Sequence, residues 1–84
     1  MQLIAHYTIA GFAGFKTAFD ADAEDRANNH LGVLQIWRES DTSVWVLYDV
    51  RDAKAARAYL SGAAQVFHTQ AGVSASDFHF VETA

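Results

Sequence analysis

The stretch that decides the fold is GVLQIWRESDTSVWVLYDV, residues 32–50. Two apolar runs, residues 34–39 and 44–50, flank the polar tetrapeptide SDTS, and each run carries one tryptophan, Trp37 and Trp45. Runs rich in Val, Ile and Trp around a short polar break are typical of a β-hairpin. We therefore predict two antiparallel strands in the middle of the chain.

The segment before the hairpin predicts a strand and then a helix. Residues 2–9 are β-branched and aromatic and are followed by glycines at positions 11 and 14, as at a strand end. Residues 14–28 show helical spacing, with Asp22 and Arg26 placed as an i,i+4 ion pair and with Asp20–Asp25 mostly outward. The predicted apolar stripe comprises Phe15, Ala18, Phe19 and Ala23, and the residues that tolerate positive φ after the helix are Asn28, Asn29 and Gly32.

The segment after the hairpin predicts a second helix and a last strand. Asp52 is a candidate N-cap for a helix to about Gln70, Gly72 a terminating glycine, and residues 77–82 a strand. The helix stripe comprises Ala56, Leu60, Ala63 and Phe67, and the last turn contains His68 as a candidate for capping at the negative end of the helix dipole. The order βαββαβ predicts one ferredoxin-like α+β domain over residues 1–84, with a four-stranded antiparallel sheet and both helices on one face.

Side-chain alternation in the hairpin decides which face of the sheet carries the tryptophans. In the first register, a turn with an odd residue count or a bulge places Leu34 and Ile36 under the helices, with the valines of residues 44–50. In the second register, a symmetric turn separates the two indoles and mixes Asp49 with apolar side chains. We favour the first register. The face without helices, here called the helix-free face, then collects His6, Gln35, Trp37, Trp45, Leu47, Asp49, His79 and Val81.

Composition limits the classes of function. The chain has 84 residues, of which 51% are hydrophobic and 19% charged, and this apolar surplus predicts an oligomer interface. The net charge of −4 argues against a nucleic-acid partner, and the absence of cysteine excludes disulfides and thiolate metal sites. Because residues 1–10 lack the features of a signal peptide or membrane span, we expect a cytoplasmic protein without a membrane partner.

The whole chain resembles the dimeric α+β barrel superfamily, whose subunits are βαββαβ sheets that pair face to face. The segments that carry the resemblance are, in order, GFKTAFDADAEDRAN, WRESDTSVWVLYDVRDAKAARAYL and AGV. They are similar to short bacterial members without an established reaction. The resemblance implies a homodimer with a cleft between each sheet and its helices or its partner.

Other members of this superfamily include cofactor-free monooxygenases, haem-degrading oxygenases and lactone isomerases. The haem-degrading members use an Asn on the first strand together with a Trp and a His from the second helix region. Here His6 replaces that Asn, both tryptophans are on strands, and only His68 matches the helical histidine. We therefore predict neither haem nor another cofactor.

The helix-free face holds the candidate site residues. His6 and His79 are candidate acid–base groups, and Asp49 is a carboxylate that would orient an imidazole. Trp37 and Trp45 would stack on a flat ligand; the other predicted ligand contacts are Leu47 and the carbonyl-binding amide of Gln35. The two histidines and Asp49 are metal-ligand types, but strand-borne histidines without a spacing motif lead us to predict no metal.

These residues predict a homodimer that binds a small apolar or aromatic molecule in the sheet cleft, with cofactor-free oxygenase or isomerase-type chemistry as the reaction to test. Whether the protein is an enzyme stays open. The alternative is a non-catalytic structural or interaction protein whose sheet face serves only homodimerisation, since interfaces are also enriched in aromatic residues. A sensor that binds a small ligand without turnover is a third reading.

Overall fold

Four antiparallel strands form one open sheet in the order β2-β3-β1-β4 in the computed structural model, which describes residues 1–84. The elements are β1 (Gln2–Ile9), α1 (Phe12–Ala21), α2 (Ala23–Asn28), β2 (Leu31–Ser40), β3 (Ser43–Val50), α3 (Ala53–Ser61), α4 (Ala64–Gln70) and β4 (Val73–Val81). This is the predicted ferredoxin-like arrangement, with each predicted helix divided in two. None of the helices has the length and apolar character needed to cross a bilayer.

The core lies between the helices and one face of the sheet. Side chains of β1 and β3 alternate between buried and partly exposed, as strands with one covered face do. The buried cluster unites Leu3, Tyr7, Val46 and Tyr48 from these strands with Phe15, Phe19, Leu60 and Phe67 from the helices. The Tyr7 and Tyr48 hydroxyls are 2.9 Å apart and hydrogen-bond each other, so neither buried phenol lacks a partner. The covered face of the sheet is therefore a packed interior.

The boundary between α1 and α2 corrects the predicted exposure of Asp22. The Asp22–Arg26 ion pair is present, with 3.7 Å between carboxylate and guanidinium, but Arg26 is buried and lies 3.7 Å over the Phe19 ring. Tyr59 donates a hydrogen bond of 2.6 Å to Asp22. Asp22 therefore faces inward to meet these two donors, whereas Ala23, predicted on the apolar stripe, is exposed.

The second helical region also breaks, between Ser61 and Ala64. Asp52 is the predicted N-cap and accepts a hydrogen bond of 3.1 Å from the Ala55 amide. Ala64, four residues after Leu60, is buried in place of the predicted Ala63, and Phe67 is buried as predicted. His68 is only 6% exposed and packs against Tyr7 and Phe78, so its predicted role as an exposed helix cap is wrong. Burial lowers the pKa of His68, which favours the neutral imidazole.

Two residues adopt the left-handed conformation at helix ends. Gly72, with φ of 71°, ends α4 as predicted. His30, with φ of 67°, takes this conformation before β2, where the sequence predicted Asn28, Asn29 or Gly32. Only the turn after α4 therefore uses a glycine for this conformation, and the turn before β2 uses a histidine.

The hairpin contains the bulge on which the favoured register depends. Ser40 pairs with Ser43 across a two-residue turn, and the register shifts between Arg38 and Ser40 and again between Val33 and Gln35. Between the two shifts Ile36 pairs with Val46 and Trp37 pairs with Trp45, so the indoles share one face and Ile36 lies on the face of the valines, as predicted. Leu34 occupies the second irregularity and is 52% exposed, so its predicted burial under the helices is wrong.

Candidate functional site on the helix-free face

The strand registers place the eight predicted residues of the helix-free face on that face. Trp37 lies directly opposite Trp45, and Trp45 lies opposite His6 in β1. The neighbouring row runs from Gln35 through Leu47 and Ile4 to His79. Asp49 and Val81 lie one row further along, on either side of Gln2. Both indoles therefore face away from the helices, which confirms the predicted register.

A chain of hydrogen bonds joins His6 to the second tryptophan. The Trp45 indole N–H donates to Glu39 Oε1 at 2.7 Å, and the Ser43 hydroxyl donates to the same oxygen at 2.8 Å. His6 Nε2 lies 2.7 Å from Ser43 Oγ. The His6 and Trp45 rings are in contact, with centroids 4.4 Å apart. The histidine is thus held in one orientation by a hydrogen bond and by ring contact.

The Glu39 carboxylate is the charged end of this chain. Its pKa is lowered, first by the hydrogen bond from Trp45 and second by the one from Ser43. Donors that point at a carboxylate favour its ionised form. Glu39 is therefore a fixed anion two hydrogen bonds away from His6.

These contacts determine the state of the His6 ring. Because the Ser43 proton points at Glu39, Ser43 Oγ accepts from His6, and we assign the neutral-ring proton to Nε2. His6 Nδ1 then carries a lone pair and lies 4.0 Å from an Asp77 carboxylate oxygen. These contacts orient the ring and leave Nδ1 without a hydrogen bond, on the side that faces Asp77.

The other two predicted catalytic residues lie apart from His6. His79 is exposed and pairs with Ile4, one row away from His6 on the neighbouring strand. Asp49 pairs with Gln2 and Gly32, and β1 separates it from β4, so it is remote from both histidines. No three His, Asp or Glu side chains lie together as ligands of one metal ion. The carboxylate beside His6 is Asp77, opposite it in β4.

Sequence reasoning missed three residues of this cluster for different reasons. Asp77 stands two residues before His79, so strand alternation alone could have placed it on the helix-free face. Glu39 and Ser43 flank the hairpin turn, where the bulge decides the direction of each side chain. No signal in the sequence fixed the position of that bulge.

The predicted ligand-binding residues lie beside this cluster. Trp37, Trp45 and Leu47, with Ile4 of β1, form an apolar strip, and Gln35 is the polar residue next to it. Trp37 is 47% exposed on the edge strand β2, and Leu47 is half-buried in the next strand. The Gln35 side-chain amide donates to the Ile36 carbonyl at 3.3 Å. A flat ring lying on this strip would contact the indole of Trp37 and lie near His6. Within one chain the strip is an open surface with no cavity.

The chain has one cleft, and it lies on the opposite side of the sheet. A volume of about 220 Å³ opens between α3 and β4, lined by Arg57, Leu60, Ser61, Phe78 and Phe80. The helix-free face contributes none of these residues. A ligand enclosed on the helix-free face would therefore need a second subunit to cover it.

The fold has counterparts among solved structures. The cofactor-independent oxygenase SnoaB from Streptomyces nogalater superimposes with a TM-score of 0.69 at 21% identity, over 99% of this chain and 92% of its own. A NIPSNAP domain protein from Burkholderia xenovorans gives 0.66 at 16%, over 100% and 95%. The monooxygenase ActVA-Orf6 from Streptomyces coelicolor, in complex with nanaomycin D, gives 0.57 at 11%, over 99% and 88%.

This chain shares the ferredoxin-like α+β fold of these proteins. The resemblance predicted from the sequence is confirmed at that level. The sequence matches no protein-family profile and no curated protein. At identities of 10–21% the likeness describes the fold, and the chemistry has to be argued from the residues of the site.

Proposed function

We propose that this protein forms a homodimer through its helix-free face and binds a small, flat aromatic molecule there, with His6 as a general base. The observation that carries the proposal is the hydrogen-bonded chain from His6 through Ser43 to Glu39, with Asp77 at the other ring nitrogen. An imidazole that is linked through Ser43 to one carboxylate, has a second carboxylate 4.0 Å from its other nitrogen and lies beside an indole is suited to proton transfer on a stacked ring.

The exposed apolar strip supports the homodimer. Trp37 leaves nearly half of its side-chain surface in water, and Ile4, Trp45 and Leu47 are only partly buried. A second copy laid against this face would cover these side chains and roof the strip, which recovers hydrophobic free energy. The same contact would enclose His6, so the site would be complete only in the dimer.

Proton abstraction is the reaction step that these residues support. His6 Nδ1 takes a proton from a carbon beside a carbonyl, and the electrons of that C–H bond move onto the carbonyl oxygen to give an enolate. Asp77 stabilises the resulting imidazolium. In a substrate with a carbon–carbon double bond conjugated with this enolate, return of the proton to the far carbon of the dienolate completes an isomerisation. Reaction of the enolate with molecular oxygen would instead give oxygenase chemistry, which SnoaB carries out without a cofactor.

Exchange of enolisable protons provides a direct test. α-Tetralone is a flat bicyclic ketone with acidic protons beside its carbonyl, and NMR in heavy water follows their exchange for deuterium. We expect the protein to accelerate this exchange and His6→Gln to lower the acceleration by about a hundredfold. Asp77→Asn should retain part of it, since the Ser43–Glu39 contact remains.

His30→Gln is the matched control, because His30 is an exposed histidine away from the helix-free face. His79→Gln tests whether the second predicted histidine takes part. Unchanged acceleration in His6→Gln would refute the role of His6. A dimer that neither binds nor exchanges α-tetralone would favour the non-catalytic alternative, in which the face serves only homodimerisation, and saturable binding without exchange would favour a sensor.

A further inference from the structure

The cleft between α3 and β4 is built from apolar side chains and one arginine. Phe78 and Phe80 of β4 line the cleft together with Leu60, Arg57 and Ser61 of α3, and the surface exposed inside it is entirely apolar. The volume of about 220 Å³ is below the roughly 300–1,000 Å³ of sites for drug-sized ligands. It suits a molecule of about one ring.

The Arg57 guanidinium is held in place but has no anionic partner. Its central carbon lies 4.2 Å from the centroid of the Phe80 ring, a cation–π contact that limits its mobility. No carboxylate lies within ion-pair distance of it, in contrast to Arg26 and Arg38, which both have one. Arg57 is exposed, so its unpaired, forked N–H donors lie at the rim of the cleft and not inside it, where they could bind a carboxylate through two parallel hydrogen bonds.

The basic residues of α3 beside the cleft favour a negatively charged ligand. Helix α3 contains Lys54 and Arg57 and no acidic residue, although the chain as a whole carries a net charge of −4. Lys54 stands three residues before Arg57, on the same side of the helix, and has no carboxylate partner either. The Ser61 hydroxyl is uncharged, and its proton is used in hydrogen bonds to the carbonyls of Arg57 and Ala58.

We propose that this cleft is a second binding site, distinct from the helix-free face, for a small monocarboxylate with an aromatic or compact apolar body. The carboxylate would pair with the Arg57 guanidinium, and the body would lie against Phe78, Phe80 and Leu60. Binding here does not require a dimer or a functional His6.

Benzoate is the probe for this site, and benzamide is its uncharged match of the same shape. In an amide-resolved NMR titration, benzoate should cause saturable shifts at residues 57–61 and 78–80 and should bind at least about tenfold more tightly than benzamide. Arg57→Gln keeps much of the side-chain stem and removes the charge. It should weaken benzoate binding at least about tenfold and make the two probes bind alike.

Arg51→Gln is the control, because Arg51 is another exposed arginine without a carboxylate partner and does not line the cleft. It should bind benzoate as the unchanged protein does. Equal affinity for benzoate and benzamide, unchanged benzoate affinity in Arg57→Gln, or shifts confined to the helix-free face would each overturn the proposal. Since Arg57 is exposed, the spectrum of Arg57→Gln should otherwise keep its native dispersion.

Discussion

Glu39 is an exposed residue whose carboxylate has a lowered pKa because of its hydrogen bonds. Its carboxylate lies on the surface but receives hydrogen bonds from both Trp45 and Ser43. The lowered pKa means that folding favours the ionised form. Its contribution to stability is therefore present above the unfolded pKa and lost as pH falls through the folded pKa.

The titration of Glu39 should be visible in the fluorescence of Trp45. In a Trp37→Phe background, where Trp45 is the only indole, we expect its emission to stay constant through the ordinary glutamate range near pH 4.3 and to change below it. Glu39→Gln has no titrating group at this position and should abolish the step. A step at the ordinary glutamate pH would show that the two hydrogen bonds do not hold the carboxylate in solution.

The histidines illustrate what residue-level reasoning from sequence can reach. Alternation along β1 predicts His6 on the helix-free face, because its neighbours Ala5 and Tyr7 belong to the core. The sequence alone suggests Asp49 as its partner carboxylate, but the offset between strands brings Asp77 to His6 instead. Alternation gives the face of a residue, while its neighbour across the sheet depends on register, which one strand alone does not reveal.

Two glycines, one inside α1 and one after α4, have different roles in the helices. Gly72 ends α4 with φ of 71°, and a Cβ there would lie 3.2 Å from that of Ala10. Gly14 lies inside α1, and a Cβ there would meet nothing within 4 Å. The first glycine is required by the backbone, whereas the second only lowers helix propensity.

Alanine substitutions should therefore act in opposite directions at these two positions. We expect Gly72→Ala to lower the free energy of unfolding by about 1–2 kcal/mol, from left-handed strain and the close contact with Ala10. Gly14→Ala should raise it by about 0.5–1 kcal/mol. Urea denaturation followed by circular dichroism measures both, and a stabilising Gly72→Ala would contradict the conformation described here.

Element order could be predicted because apolar periodicity changes clearly between strands and helices. The helix break at Asp22 could not, since the segment Ala21–Ala23 continues the helical pattern. The second break has a signal in Gly62, which ends α3, but one glycine does not show whether a helix resumes after it. His68 is buried next to Phe67 on a broader apolar face than the predicted stripe, and tertiary packing decides that breadth.

Trp37 and Val66 are both exposed apolar side chains, but their surroundings differ. Trp37 lies in the strip on the helix-free face, among other apolar side chains. Val66 on α4 is 64% exposed, and Phe67, the next residue along the helix, is buried. A single exposed valine needs no partner, whereas a continuous strip does.

This difference predicts which substitution dissociates the proposed homodimer. Trp37→Glu should convert a dimer of 9.2 kDa subunits into a folded monomer, because a carboxylate would be buried unpaired at the interface. Val66→Glu should leave the dimer intact. Sedimentation velocity at micromolar concentration distinguishes the two masses. A monomer in the unchanged protein would refute the homodimer, and with it the enclosed site.

Strand β1 has a consequence for how the chain acquires its structure. It hydrogen-bonds to β3 on one edge and to β4 on the other, so the first strand of the chain pairs with the last. Closing so long a loop costs entropy before any contact repays it, and proteins dominated by such pairings fold in milliseconds to seconds. Residues up to Val81 must emerge from the ribosome before β1 can become a central strand, and in the folded protein its amides should be among the slowest to exchange with solvent.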